Sequence, residues 1–212
     1  MLQLLHKWWL SAVASAAIVL GRKRRALQVY EKIVASFPRD ERAHSTVGNL
    51  CMELGESQAA MRAFECQIGV NARSADAWFN LGYIHDHCDA NAEAERCFRT
   101  AVEIDPQLDR AWYGLGLVLI RQGRLAEAVT ALKRNTKLQP FAPYGWFQLA
   151  MTYHHLGQNE DAWRIHKELR RFEPRFAATL KRDLEQTQPR RGVAADSTHS
   201  DRPTKNTITT TA

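Results

Sequence analysis

Apolar residues recur along the chain at the three- and four-residue spacing of amphipathic helices. The same order of apolar, small and polar positions returns every 34 residues. Tryptophan marks the period: Trp78, Trp112 and Trp146 are 34 apart, and open the phrases "AWFNLGYIH", "AWYGLGLVL" and "GWFQLAMTY". Behind each comes a small residue (Gly82, Gly116, Ala150), then an alanine (Ala94, Ala128, Ala162), then a proline (Pro106, Pro140, Pro174). One period earlier His44 fills the tryptophan slot, followed by Gly48 and Ala60. A further step back reaches Leu10, Ala14, Ala26 and Pro38. A fixed period of this length predicts a stack of identical supersecondary units, each burying its core only against its neighbours.

The residues predict two helices per unit. Small residues at Ala14, Gly48, Gly82, Gly116 and Ala150 face small residues at Ala26, Ala60, Ala94, Ala128 and Ala162, so the paired helices can approach closely. Gly21, Gly55, Gly123 and Gly157 fall where the first helix must stop and turn; Asp89 stands in that slot in the middle unit. Tyr30, Phe64 and Phe98 recur on the second helix and fill the space between units, with Leu132 and His166 in the same slot later. The prolines are placed to end the second helix.

A 34-residue period with W-x2-L-G, a later alanine, an aromatic and a terminal proline resembles the tetratricopeptide repeat family. The resemblance spans 7–40, 41–74, 75–108, 109–142 and 143–176, with residues 1–6 as an extension of the first helix. It implies an all-α fold: a right-handed solenoid of about five helix-turn-helix repeats. After Pro174, "RFAATLKRDLEQT" sets Leu180 and Leu184 among charged residues, and predicts a capping helix over 177–187. From 188 to 212 the chain is polar and is expected to be a disordered tail.

In the resembled family, the first helix of each repeat lines a concave groove that holds extended peptides or partner helices. The repeat register then puts Phe79, Tyr113 and Phe147 at one groove position, with Tyr83, Leu117 and Met151 one turn along. Asn49, Asn80, Gln148 and Arg110 add polar groups. Aromatic and Met anchors interleaved with amides suit peptide binding. Some family members grip a C-terminal carboxylate with a five-residue clamp of Lys, Asn and Arg. Here Asn49 and Asn80 match that pattern and Arg110 stands in for a lysine. Ser45 and Gly114 replace two of its charges, so a receptor of that type is not expected.

The stretch from His6 to Arg25 joins a 13-residue apolar run, Trp8–Leu20, to a basic block. A transmembrane helix needs about 20 residues. The repeat register claims the segment as the first helix of the array; a membrane anchor and a cleaved signal sequence are the alternatives. Leu4, Leu5, Trp8 and Trp9 crowd the open end of the stack and form a second apolar surface, suited to self-association or to peripheral membrane contact.

Composition changes this picture little. With 212 residues, 45% hydrophobic and 25% charged, the chain resembles an ordinary globular protein. The net charge of +6 permits acidic partners, but nucleic acid is not expected. Four unpaired cysteines suit a reducing, cytoplasmic setting; membrane association is the alternative. "HDHCD" at His85–Asp89 has zinc-ligand chemistry, but its side chains diverge around a helix, so no metal site is expected. No catalytic residue or cofactor is expected either. The reading is a scaffold or assembly factor that binds a protein or peptide in its groove. The alternatives are a membrane-attached version and, more remotely, a metal protein or enzyme centred on His85–Asp89.

Overall fold

Left-handed turn residues divide the chain. Gly21, Gly55, Gly123 and Gly157 have φ of 68°, 76°, 75° and 76°, and Asp89 has φ of 56°. At each, the amide of the residue after the turn residue bonds back five residues, as in Arg22 N–H to Ala17 O at 2.8 Å and Gln158 N–H to Tyr153 O at 2.9 Å. This closes the helix and reverses the chain within three residues.

The computed structural model describes residues 1–186. Among them are eleven helices and no strand: α1 (Leu2–Val19), α2 (Lys23–Ser36), α3 (Glu41–Glu53), α4 (Ser57–Val70), α5 (Ala75–His87), α6 (Asn91–Ile104), α7 (Asp109–Arg121), α8 (Leu125–Leu138), α9 (Pro143–His155), α10 (Asn159–Phe172) and α11 (Pro174–Gln186). Each helix packs on the next, and α7 also touches α5 and α9. The result is an all-α solenoid of helical repeats. The tail expected over 188–212 lies outside the described residues.

Within each hairpin the small residues set the spacing. A Cβ on Gly48 would stand 2.6 Å from the Phe64 ring, and one on Gly116 would stand 2.7 Å from Leu132. Facing them, Ala26, Ala60, Ala94, Ala128 and Ala162 are fully buried. Phe64 and Phe98 fill the space between repeats and are among the most completely buried side chains.

The tryptophans pin the loops between hairpins. The indole N–H of Trp78, Trp112 and Trp146 donates to the carbonyls of Ala72, Pro106 and Pro140, at 3.0, 3.0 and 2.9 Å. His44 makes the same bond through Nε2 to the Pro38 carbonyl at 2.8 Å. A carbonyl only accepts, so this nitrogen carries the proton. In every case the acceptor lies six residues earlier, just past the preceding helix. The requirement in this slot is thus a ring with an N–H, which histidine meets and Leu10 does not.

Charged pairs bind neighbouring hairpins on the outside. Lys7 reaches Asp40 at 2.7 Å, while Lys23 and Arg24 of the basic block pair with Glu53 and Glu56 at 2.9 and 3.5 Å. Glu95 accepts from both Arg99 and Arg124, and Glu127 accepts from the same two arginines. These hydrogen bonds, Arg124 first, hold the Glu127 carboxyl down to about 2.

Two details depart from the sequence expectations. Helix α11 starts at Pro174, not near 177, and that proline opens a helix rather than ending one; proline suits the first helical turn because its missing N–H has no partner there. A single residue, Glu173, links α10 to α11. Buried Ala177, Leu180 and Leu184 then seat α11 on α9 and α10, with Leu180 one period after Trp146. Among the described residues, no helix is long and apolar enough to cross a membrane.

Candidate functional site

The first helices of successive hairpins touch side by side: α5 meets α7, α7 meets α9, and α11 continues the row against α9. Side chains aimed away from the second helices line this face. Phe79 is half-buried, its ring 5.9 Å from Phe98 below and 6.4 Å from Tyr83 one turn on. The Arg110 guanidinium lies 4.5 Å over the Phe79 ring and is ion-paired to Asp76, which ties α7 to α5. Tyr83 is exposed and stacks 4.0 Å from His87, whose Nδ1–H donates to the Tyr83 carbonyl at 2.9 Å.

Tyr113, Phe147 and Met151 are half-buried, so each rests on the core while keeping one side open, and Leu117 is half-buried too. Burial, with a smaller contribution from Tyr144, pushes the Tyr113 hydroxyl up from its usual value. It therefore stays protonated, able to donate a hydrogen bond, through neutral pH. Asn80 and Gln148 are half-buried and Asn49 is exposed on α3.

Two openings share Tyr144 as a common wall. One is bounded by Tyr144, Phe147, Gln148, Arg175, Phe176 and Thr179. The other includes Arg110, Tyr113, Asn135, Gln139 and Gly145. Phe176 meets Tyr144 edge-on at 5.1 Å and Phe147 edge-on at 6.4 Å. The structure therefore adds Tyr144, Arg175 and Phe176 to the residues expected from sequence. Tyr144 is missed because its repeat slot holds Asp76 and Arg110 earlier. Phe176 lies beyond the fifth repeat, and only Leu180 in the tryptophan slot carries the register into α11. Of the residues expected from sequence, Arg110, Tyr113, Phe147 and Gln148 line these openings, whereas Asn49, Phe79, Asn80, Tyr83, Leu117 and Met151 border neither.

Cations on this face are largely matched. Arg110 is paired with Asp76; Arg121 is paired with Asp86, and its Nε donates to Asn91 Oδ1 at 3.0 Å. At Gly114, one of the clamp positions, a Cβ would come within 2.7 Å of the Phe98 ring, so the packing favours glycine there.

The His85–Asp89 stretch divides its side chains among separate tasks. Asp86 pairs with Arg121, His87 bonds to Tyr83, and Asp89 forms the left-handed turn. Among the described residues no three His, Cys, Asp or Glu side chains gather as metal ligands do. Cys51 and Cys97 are buried, and burial pushes the Cys97 thiol up to about 11. Cys66 and Cys88 are exposed. At the far end Leu4, Leu5, Trp8 and Trp9 are all exposed on α1.

The comparisons with known proteins agree on the architecture. Residues 12–68 match a tetratricopeptide repeat family model, and residues 68–173 match the model of the cilia and flagella-associated protein 70 middle TPR-like domain. No curated protein matches the chain. Among solved structures, one of MamA is 18% identical, covers 82% of this chain and 97% of its own, and superimposes with a TM-score of 0.70. A MamA from Desulfovibrio magneticus RS-1 is 16% identical, with coverages of 84% and 96% and a TM-score of 0.70. YrrB, described as a TPR protein with an unusual peptide-binding site, is 20% identical, with coverages of 80% and 88% and a TM-score of 0.69. With a 34-residue period, loop-pinning tryptophans, glycine-closed hairpins and family models spanning 12–173, the chain belongs to the tetratricopeptide repeat family of protein-interaction scaffolds.

Proposed function

We propose that this protein is a non-catalytic scaffold or assembly factor that holds an extended segment of a partner protein along α5, α7, α9 and α11. The observation that carries this is the row of partly exposed rings, Phe79, Tyr113, Tyr144, Phe147 and Phe176, that crosses three hairpins and the cap. Rings seated on the core but open on one face lose little side-chain freedom on binding, which makes them good anchors. Asn80, Gln148 and the Tyr113 hydroxyl supply hydrogen bonds for a peptide backbone. Arg110 and Arg121 already have carboxylate partners, so apolar and amide groups carry most of the recognition. The peptide-binding site named for YrrB, a neighbour in fold, supports a peptide as the ligand class.

The experiment begins with crosslinking and mass spectrometry to identify the partner. Affinity is then measured for Asn80→Ala, Tyr113→Ala and Phe147→Ala, with Lys167→Ala, at an exposed position of α10, as the control. Each groove variant is expected to weaken binding about tenfold or more, as buried anchors do, and the control to leave it unchanged. Unchanged binding in Tyr113→Ala and Phe147→Ala, with helicity intact, would overturn the reading.

A further inference from the structure

Helix α1 uses only one of its faces. Leu10, Ala14 and Ala17 are buried against the hairpin. The opposite face, made by Leu5, Trp8, Ala12, Ala16 and Val19 with Leu4, Trp9, Ser15 and Leu20 beside them, is exposed along its whole length. Trp8 is 72% exposed, Trp9 57%, Leu4 70% and Val19 85%.

We propose that this face pairs with the same face of a second copy, with α1 antiparallel to α1 and the twofold axis passing at Ala12. Three observations carry it. The first is size order. Large side chains occupy both ends of the face, and Ala12, Ser15 and Ala16 occupy its middle. Reversing one helix about Ala12 lays Trp8 over Ala16, Trp9 over Ser15, Leu5 against Val19 and Leu4 against Leu20. Large thus meets small beside the axis and aliphatic meets aliphatic at the ends, which lets two helices approach closely. A parallel pairing would set Trp8 on Trp8 and leave the small residues facing a gap. A twofold interface must be self-complementary in this way.

The second is area. The two indoles alone leave on the order of 300 Å² uncovered, given about 150–250 Å² for an aromatic side chain. With the four leucine and valine side chains the patch approaches the ~800 Å² that each partner contributes to a standard stable interface. It also exceeds the roughly 300–600 Å² of the largest apolar patch on an ordinary monomer.

The third is charge. Lys7 turns off the face to Asp40, and Lys23 and Arg24 are paired with Glu53 and Glu56. None of the face's own side chains is charged, so it carries nothing that would repel its own copy; exposed Arg22 and Arg25 lie beyond its Leu20 end. The groove is not involved, so the pairing stands apart from the proposed peptide binding.

The test uses the full chain with Cys66→Ser and Cys88→Ser, which removes the exposed thiols. Under mild oxidation Ala12→Cys is expected to give a disulfide-linked dimer, because that position meets itself at the axis. Leu5→Cys alone is expected to give none, while Leu5→Cys combined with Val19→Cys restores crosslinking. By sedimentation equilibrium the parent dimerises, and Trp8→Ser weakens the dimer by roughly thirtyfold, the factor expected of a central anchor, while circular dichroism stays unchanged. A monomeric parent would overturn the proposal. So would Leu5→Cys crosslinking as readily as Ala12→Cys, which signals parallel pairing. A monomeric parent that co-sediments with phosphatidylserine vesicles, and loses them in Trp8→Ser, would replace it with membrane docking.

Discussion

Asp89 sits where the other four hairpins carry glycine, at φ of 56° against 68–76° for Gly21, Gly55, Gly123 and Gly157. An L-residue in this region brings its Cβ against the backbone, which costs about 1–2 kcal/mol, less for aspartate than for most. Replacing it with glycine removes that cost but adds freedom to the unfolded chain, worth roughly 0.4–1 kcal/mol in the other direction. The balance for Asp89→Gly is a gain of about 0.5–1 kcal/mol. Gly123→Ala provides the reverse experiment. A Cβ there meets nothing within 4 Å, so any loss comes from the backbone alone, and about 1 kcal/mol is expected. At this chain length a 1 kcal/mol change moves the melting midpoint by roughly 2–4 °C. Thermal and guanidinium unfolding followed by far-UV circular dichroism should show Asp89→Gly above the parent and Gly123→Ala below it. If Asp89→Gly melts lower, the turn account is wrong, and the Asp89 side chain has a structural duty that its backbone angle hides.

Further predictions separate other contributions. Gly48→Ala should cost about 1–3 kcal/mol, because its methyl would enter the Phe64 ring, whereas Gly69→Ala, with open space inside α4, should gain up to about 1 kcal/mol; equal effects in chemical unfolding would contradict the packing account. Trp112→Phe keeps the ring but loses the bond to the Pro106 carbonyl, and should cost about 0.5–1.5 kcal/mol plus the lost ring area, read from the same curves. Glu127 has its folded value depressed to about 2 by Arg124 and Arg99, so its contribution is present above the unfolded value near 4.5 and is lost as pH falls toward 2. Glu127→Gln should therefore flatten the acid limb of the stability profile between those values and change little in shape above it.

The fold was legible because its constraints are local and repeat. Trp78, Trp112 and Trp146 mark the loop pin, Gly48 and Gly116 mark the close approach of helices, and Gly55 and Gly123 mark the turns. Even His44 kept the tryptophan slot by keeping a ring N–H. Part of the candidate site is also visible in the sequence, since Phe79, Tyr113 and Phe147 share a register position. The remainder depends on how neighbouring repeats are superposed. Tyr144 stands against the Phe176 edge, and the three preceding repeats hold Arg110, Asp76 and Arg42 in its slot. Pro174 reads as a terminator in sequence because the earlier prolines follow helices, but the one-residue link at Glu173 makes it a helix start. Gly114 reads as a missing clamp charge; the structure supplies the reason, the Phe98 ring beneath it.

The proposed function places the partner on the face formed by α5, α7, α9 and α11. The most direct measurement is site-specific photocrosslinking with the identified partner, with a photoreactive residue placed in turn at Tyr83, Leu117, Gln148 and Thr179 on that face and at Thr130 and Lys167 on α8 and α10. Adducts at the first four positions, ordered along one continuous partner segment, are the expected result. Adducts concentrated at Thr130 and Lys167 would contradict it.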